Sequence, residues 1–321
     1  MSIKIKKVSK VFSDGKHNAF TSICQYQGNC YLAFRNAENH LSENGQIIII
    51  RSDSKNKWHL ICRVKDENGD LRDPKLLAFD DKLILYAGLR IKSKNTYKIK
   101  SVVYVSEGGE NFQKKRLKGI NDNDFIWGIS VYKNTIYSSA YTYLVEDVTE
   151  QNSQLYKSSN GFDWELITSF PGNGNETYLE FDQHDRLFAL VRDEKQPNFP
   201  TLYVSQKANF STFDKIQTLP LRLQGFIFKR FESGYFLAGR TWDIPGRQNL
   251  RTQLFWYEED GKLKSICTLP SGGDCSYPSW CCLRPGKALL SYYSAHEQIE
   301  KSSNATEHNC SADIFLAELS F

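Results

Sequence analysis

No apolar stretch of this chain approaches the roughly 20 residues that a helix needs to cross a bilayer. Residues 1–10 alternate isoleucine and lysine without the apolar centre of a secretory leader, so the sequence reads as cytoplasmic, with no membrane partner. There is one methionine in 321 residues, against 17 tyrosines and 20 phenylalanines, a balance that argues against helix-rich packing. Neither sign of charge dominates, because 41 basic and 37 acidic side chains leave +4. Beyond the scatter of Lys4, Lys6, Lys7 and Lys10 there is no basic run, and nucleic acid is not an expected partner. The eight cysteines contain no C-x-x-C pair, and the adjacent Cys281 and Cys282 would point to opposite faces of a strand. Reduced, packing cysteines are expected, with no metal and no cofactor.

What the chain does contain is a repeat. Residues 17–58 read as four β-segments: 19–26, then a turn at Gln27-Gly28-Asn29, then 30–35, then 46–50, with Trp58 opening the fourth. The turn between the first two segments recurs at Gly28, Asp81, Asn134, Asp185, Gly234 and Gly286, at spacings of 53, 53, 51, 49 and 52 residues. After each turn comes a short apolar strand, from C-Y-L-A-F-R in the first unit to A-L-L-S-Y-Y in the last. A period near 50 filled by four strands implies a β-propeller. Six units account for the chain as one all-β domain, residues 1–321. The last unit, ending at 314–319, lacks a fourth strand, which the alternating segment 3–8 is expected to supply, closing the ring. The polar stretch 298–309 reads as a long loop.

In a ring of this kind, the residues that close each second strand share one height. They are Arg35, Gly88, Tyr141, Arg192, Arg240 and Tyr293. Three arginines and two tyrosines at one rim are an unusual packing choice, because arginine is costly to bury alone. Guanidinium forks suit a carboxylate, so an anionic ligand is expected. Nearby lie Asp70, Arg72 and Asp73 in D-L-R-D-P-K, Glu176 opening blade four, Asp274 and Tyr277 in G-G-D-C-S-Y-P, and the histidines His40 and His296. Carboxylates where inner strands meet the channel are placed for acid–base work.

Taken together, A-F-R…H, D-L-R-D-P-K, E-T-Y-L-E-F…L-V-R, L-A-G-R, G-G-D-C-S-Y-P and L-S-Y-Y-S-A-H-E resemble the bacterial sialidase-like six-bladed propellers (BNR-repeat, exo-α-sialidase type). The hairpin sequences S-D-S-K-N-K-W, S-E-G-G-E-N-F and S-S-N-G-F-D-W resemble, in degenerate form, the structural Asp box of sialidases. The resemblance implies a carbohydrate ligand bearing a carboxylate, held by three arginines. It also implies a tyrosine nucleophile activated by a glutamate, and a separate acid/base. Carried onto this chain, Glu176 matches the activating glutamate, Arg192 the middle arginine, and Arg251 the last, with Arg240 as its rival. Tyr293 matches the nucleophile, with Tyr292 as the alternative. His17-Asn18-Ala19-Phe20 stands where the first arginine is expected, leaving Arg35 to substitute. The loop N-A-E-N-H-L-S-E-N has no aspartate, so the acid/base falls to Glu38, His40, Glu43 or, from blade two, Asp73. Other readings stay open: a non-catalytic carbohydrate-binding propeller, a five-bladed-type glycosidase or phosphorylase using paired carboxylates around R-D-P, and a protein-interaction scaffold.

Overall fold

The computed structural model describes residues 3–53, 57–93, 96–143, 151–205, 209–244, 248–299 and 309–321. It is a six-bladed β-propeller, six four-stranded antiparallel sheets in a ring. Blade one is β2 (His17–Tyr26), β3 (Asn29–Ala37), β4 (Gln46–Ser52) and β5 (Trp58–Val64). Blade two is β6 (Asp70–Phe79), β7 (Lys82–Ser93), β8 (Thr96–Ser106) and β9 (Gln113–Lys115). Blade three is β10 (Asp124–Tyr132), β11 (Thr135–Thr142), β12 (Ser153–Ser158) and β13 (Glu165–Ser169). Blade four follows with β14 (Thr177–Phe181), β15 (Leu187–Val191), β16 (Thr201–Ser205) and β17 (Asp214–Thr218). Blade five is β18 (Gln224–Phe231), β19 (Gly234–Asp243), β20 (Gln248–Glu258) and β21 (Leu263–Thr268). Blade six takes β22 (Cys275–Arg284), β23 (Lys287–Ser294) and β24 (Asp313–Ser320), and its outer strand is β1 (Lys4–Phe12).

The six expected turn residues all have positive φ: Gly28 at 76°, Asp81 at 56°, Asn134 at 57°, Asp185 at 63°, Gly234 at 148° and Gly286 at 77°. A left-handed residue in a tight hairpin matches the right-handed twist of the flanking strands, and Gly, Asn and Asp reach it most cheaply. Ring closure follows the expectation, with β1 antiparallel to β24 and Val8 opposite Ala317. The seam is tied by Asn18 N–H to Ala312 O and Ala312 N–H to Lys16 O, each at 3.1 Å. Deleting β1 leaves the long apolar strand β24 as an unprotected edge. The expected result is loss of the monomer peak in size-exclusion chromatography, with aggregates in its place.

At the turn 158–164, Ser158 Oγ accepts from Gly161 N–H (2.9 Å) and Asn160 Oδ1 accepts from Phe162 and Asp163 N–H. Trp164 is buried edge-on to Tyr86 of blade two, so its ring locks neighbouring blades together. Residues 54–56 of S-D-S-K-N-K-W lie outside the described residues. Of the expected loop 298–309, residues 300–308 also lie outside them, and its first two residues belong to the short helix α1 (His296–Ile299).

The feature that shapes the centre is a bulge repeated on the inner strands. In β2, β6, β10, β18 and β22, two residues stand opposite one of the partner strand. The first residues of these pairs are Phe20, Asp73, Trp127, Gly225 and Tyr277, and four of them are left-handed: Phe20 (59°), Asp73 (49°), Gly225 (49°) and Tyr277 (46°). A bulge re-aims its side chain away from the sheet's alternation. Here it delivers one residue from each of five blades toward the centre; β14 of blade four pairs without a bulge.

Candidate active site

Tyr277 stands among these bulge residues. Its hydroxyl donates to Glu176 Oε1 at 2.8 Å and accepts from Arg192 Nη1 at 3.2 Å. Arg192 also pairs with Glu176 Oε2 at 2.7 Å and with Glu194 Oε1 at 2.5 Å. The second oxygen of Glu176 accepts the Gly225 N–H at 3.1 Å. Gly225 is required at this point, because a Cβ on it would lie 2.7 Å from the Tyr277 ring. Phe20 and Trp127 stand edge-on to the same ring at centroid distances of 5.0 and 5.9 Å. Burial and the charge of Glu176 raise the phenol pKa, so Tyr277 is neutral and its proton faces a carboxylate.

Asp73 stands on the adjoining bulge, with Arg72 Nε 3.3 Å from its carboxylate. Burial raises its pKa above the usual carboxylate range, and Arg72 and Lys75 offset part of that shift. Lys75 sits 3.8 Å over the face of Trp127, its own pKa lowered by burial. Tyr277, Trp127, Lys75 and Gly225 border a cavity of about 230 Å3 in the channel. Arg192 and Glu194 border a recess of about 300 Å3 beside Gln224 and Trp242.

Behind this layer is a buried hub centred on Asp274. Its Oδ2 lies 2.8 Å from His17 Nε2 and 2.6 Å from His40 Nδ1. Its Oδ1 accepts from Arg240 Nη2 at 2.9 Å and from the Tyr293 hydroxyl at 2.7 Å. Arg240 also reaches Tyr293 Oη at 2.9 Å and the Cys275 carbonyl at 2.8 Å. Burial pushes the Asp274 carboxyl up, but the bonds from His17 and His40 and the charge of Arg240 outweigh it and hold it well below the ordinary range. Burial lowers His40 to about 4, so it is neutral at neutral pH. His17, His40 and Asp274 are the one group of three metal-type donors among the described residues, their ligating atoms within 4.8 Å of one another. The guanidinium of Arg240 already supplies the counter-charge there, so these residues read as a hydrogen-bonded hub.

Several expectations are corrected by this geometry. Tyr293 is fully buried and pairs with Asp274, not with Glu176; the tyrosine on Glu176 is Tyr277. Tyr292, the alternative, is fully buried and bonds to the Pro270 carbonyl. Arg35 does not substitute for a missing ligand arginine. It is fully buried, with Nε on Asp70 (2.8 Å) and its other nitrogens on the Asn39 and Ser42 carbonyls, so it pins the 39–42 loop. Arg251 turns to Asp243 at 2.9 Å, and of the two rivals it is Arg240 that stands at the centre. His296 bonds to Ser294 and lies tilted against the Phe315 ring, with centroids 5.0 Å apart. Glu43 pairs with Lys92 and Glu38 with Lys16, both at the surface. Arg72, Asp73, Glu176, Arg192, Arg240, His40, Asp274 and Tyr277 do converge.

Sequence reading overlooked Glu194, Lys75, Trp127 and the role of Tyr277. A usable signal existed for the last of these. Asp73-Pro74 and Tyr277-Pro278 both place proline inside an inner strand, where a residue without an N–H is tolerated at a bulge.

Fold and site together define a six-bladed β-propeller with a tyrosine–carboxylate–arginine cluster where its inner strands meet. No family model matches the sequence, and no curated protein matches it in sequence. Structural likeness is strong. A protein of unknown function from Dyadobacter fermentans superposes with a TM-score of 0.81 at 16% identity, covering 100% of this chain and 99% of that one. Trypanosoma rangeli sialidase in complex with the inhibitor DANA gives 0.67 at 10% identity, over 94% of this chain and 55% of that chain's length. The α-L-arabinanase of Penicillium chrysogenum complexed with arabinobiose gives 0.64 at 12% identity, over 98% of each chain. At these identities the likeness is one of fold.

Proposed function

We propose that the protein is a retaining exo-glycoside hydrolase acting on a carboxylate-bearing sugar, with Tyr277 as nucleophile, Glu176 as its base and Asp73 as acid/base. The reading rests on one observation above the others, the 2.8 Å bond from the Tyr277 hydroxyl to Glu176 with Arg192 bridging both. It is supported by the glycosidase names among the structural neighbours. A neutral phenol avoids the repulsion that a carboxylate nucleophile meets beside an anionic substrate, and tyrosine nucleophiles are a known departure from the two-carboxylate scheme.

In this mechanism Tyr277 Oη attacks the anomeric carbon while its proton passes to Glu176. Asp73 gives its proton to the glycosidic oxygen as that bond breaks, and the aglycone leaves as an alcohol. Water then attacks the anomeric carbon, losing a proton to Asp73. The aryl ether to Tyr277 breaks, and Glu176 returns the proton to the phenolate. Arg192 stabilises the negative charge that develops on the phenol oxygen. Two inversions retain configuration.

Asp73 must be protonated to act as the acid, and its raised pKa serves that role. Turnover of alkyl glycosides is therefore expected to fall as pH rises through the Asp73 pKa. Asp73→Asn should remove that limb and spare fluorogenic substrates, whose leaving groups need no proton, far more than alkyl ones. Equal losses on both substrates across pH would count against Asp73 as the acid.

A further inference from the structure

The arginines that converge at the mouth are spent on the protein's own carboxylates. Arg72 has Asp73 at 3.3 Å, Arg192 has Glu176 at 2.7 Å, and Arg240 has Asp274 at 2.9 Å. Arg35, behind them, has Asp70 at 2.8 Å. A substrate carboxylate therefore needs a different guanidinium. Arg222, half-buried in the connection between β17 and β18, makes no salt bridge and no hydrogen bond among the described residues. Its guanidinium lies 5.7 Å from the centroid of the Phe199 ring.

Arg222 lines the recess of about 300 Å3 that begins at Arg192. Gln196 and Asn198 of blade four line the same recess, with Trp242 and Ile244 of blade five. Trp242 is buried and Ile244 is 64% exposed. The recess thus offers apolar surface for the C–H face of a sugar, amides for its hydroxyls and one uncommitted cation. Glu194 is the one carboxylate in the lining, and it is already occupied. Arg192 lies 2.5 Å from it, and the amides of Asn175 and Gln224 donate to it at 3.0 and 3.3 Å.

Arg192 links this recess to the reacting centre, with Nη1 at 3.2 Å from the Tyr277 hydroxyl and Nη2 on Glu194. The recess therefore begins one guanidinium's width from the nucleophile. A carboxylate bonded to the anomeric carbon would lie against Tyr277 beside Glu176, where Arg192 is already shared between two carboxylates. A carboxylate across the sugar ring from that carbon would enter the recess.

Resting on the hydrolase reading above, we propose that Arg222 is the carboxylate-binding residue and that the substrates are hexuronides. Their carboxylate stands across the ring from the anomeric carbon, whereas sialosides carry it on that carbon. The Arg222 fork takes both carboxylate oxygens in parallel N–H···O bonds. Phe199 restricts the guanidinium before the ligand arrives, so less side-chain freedom is lost on binding.

The test is calorimetric titration of the full chain with glucuronate and galacturonate, each against its neutral hexose, and with N-acetylneuraminate. Wild type should bind at least one hexuronate more tightly than both the matching hexose and N-acetylneuraminate. Arg222→Gln should weaken that binding about 10- to 100-fold, the loss expected for hydrogen bonds to a charged group, and Arg222→Lys should recover part of it. An unchanged melting temperature shows that the variants fold, as a side chain without polar partners leads one to expect. Hexuronates binding no better than hexoses would overturn the proposal, as would tighter binding of N-acetylneuraminate or full hexuronate affinity in Arg222→Gln. Binding is read without turnover, so the two readings fail separately. A chain that binds hexuronate through Arg222 and cleaves no glycoside loses only the hydrolase, and one that cleaves sialosides and ignores hexuronates loses only this assignment.

Discussion

Tyr277→Phe is expected to lower kcat on fluorogenic glycosides by on the order of 10⁴-fold, as loss of a covalent nucleophile does elsewhere. The fold should survive, because the phenyl ring still fills the space among Phe20, Trp127 and Gly225. Only the hydroxyl shared by Glu176 and Arg192 is lost. Tyr293→Phe is the control. It removes a buried hydroxyl from Asp274 and Arg240 and should cost about 1–2 kcal/mol of stability, with kcat within about tenfold of wild type. A screen including sialosides and uronides, run on both variants, separates the hypotheses. If Tyr277→Phe keeps its turnover while Glu176→Gln and Asp73→Asn lose it, the two carboxylates act directly and the phenol only positions. If the wild-type chain cleaves no glycoside yet binds one, the propeller is a carbohydrate-binding protein.

The second large effect is on stability. Asp274→Ala should destabilise the protein by about 3–5 kcal/mol, because it leaves Arg240 buried without its counter-charge and strands three further donors. Its folded pKa is depressed, so the contribution of Asp274 is fully present above the unfolded carboxylate value of about 3.9 and is lost as pH falls through the folded value. Chemical denaturation followed from neutral to acid pH should show wild type losing stability and the variant losing less. A loss below about 1 kcal/mol at neutral pH, the size of an ordinary substitution, would remove Asp274 from the centre of the hub.

The local pattern determined much of this. Turn residues about 50 apart, alternating apolar strands and an unpaired last blade were enough for six blades and closure by the N-terminal strand, because hairpin backbones and sheet edges make demands that only certain residues meet. The list of charged residues at the mouth was legible for the same reason, since position along the second strand fixes height in the ring. Which of them face the channel was not legible. Arg35 and Arg192 end corresponding strands, yet one is consumed by Asp70 and loop carbonyls while the other bridges Glu176 and Tyr277. Tyr293 and Tyr277 lie sixteen residues apart, and only the bulge at Tyr277-Pro278 turns one toward Glu176 while leaving the other against Asp274. Partner choice among buried charges depends on distances between blades far apart in sequence, and an ångström decides whether a guanidinium is spent on its own protein or held at the mouth. The sequence by itself determined the ring and the inventory; the tertiary structure alone decided the pairings, because Coulomb and hydrogen-bond energies act through space and not along the chain.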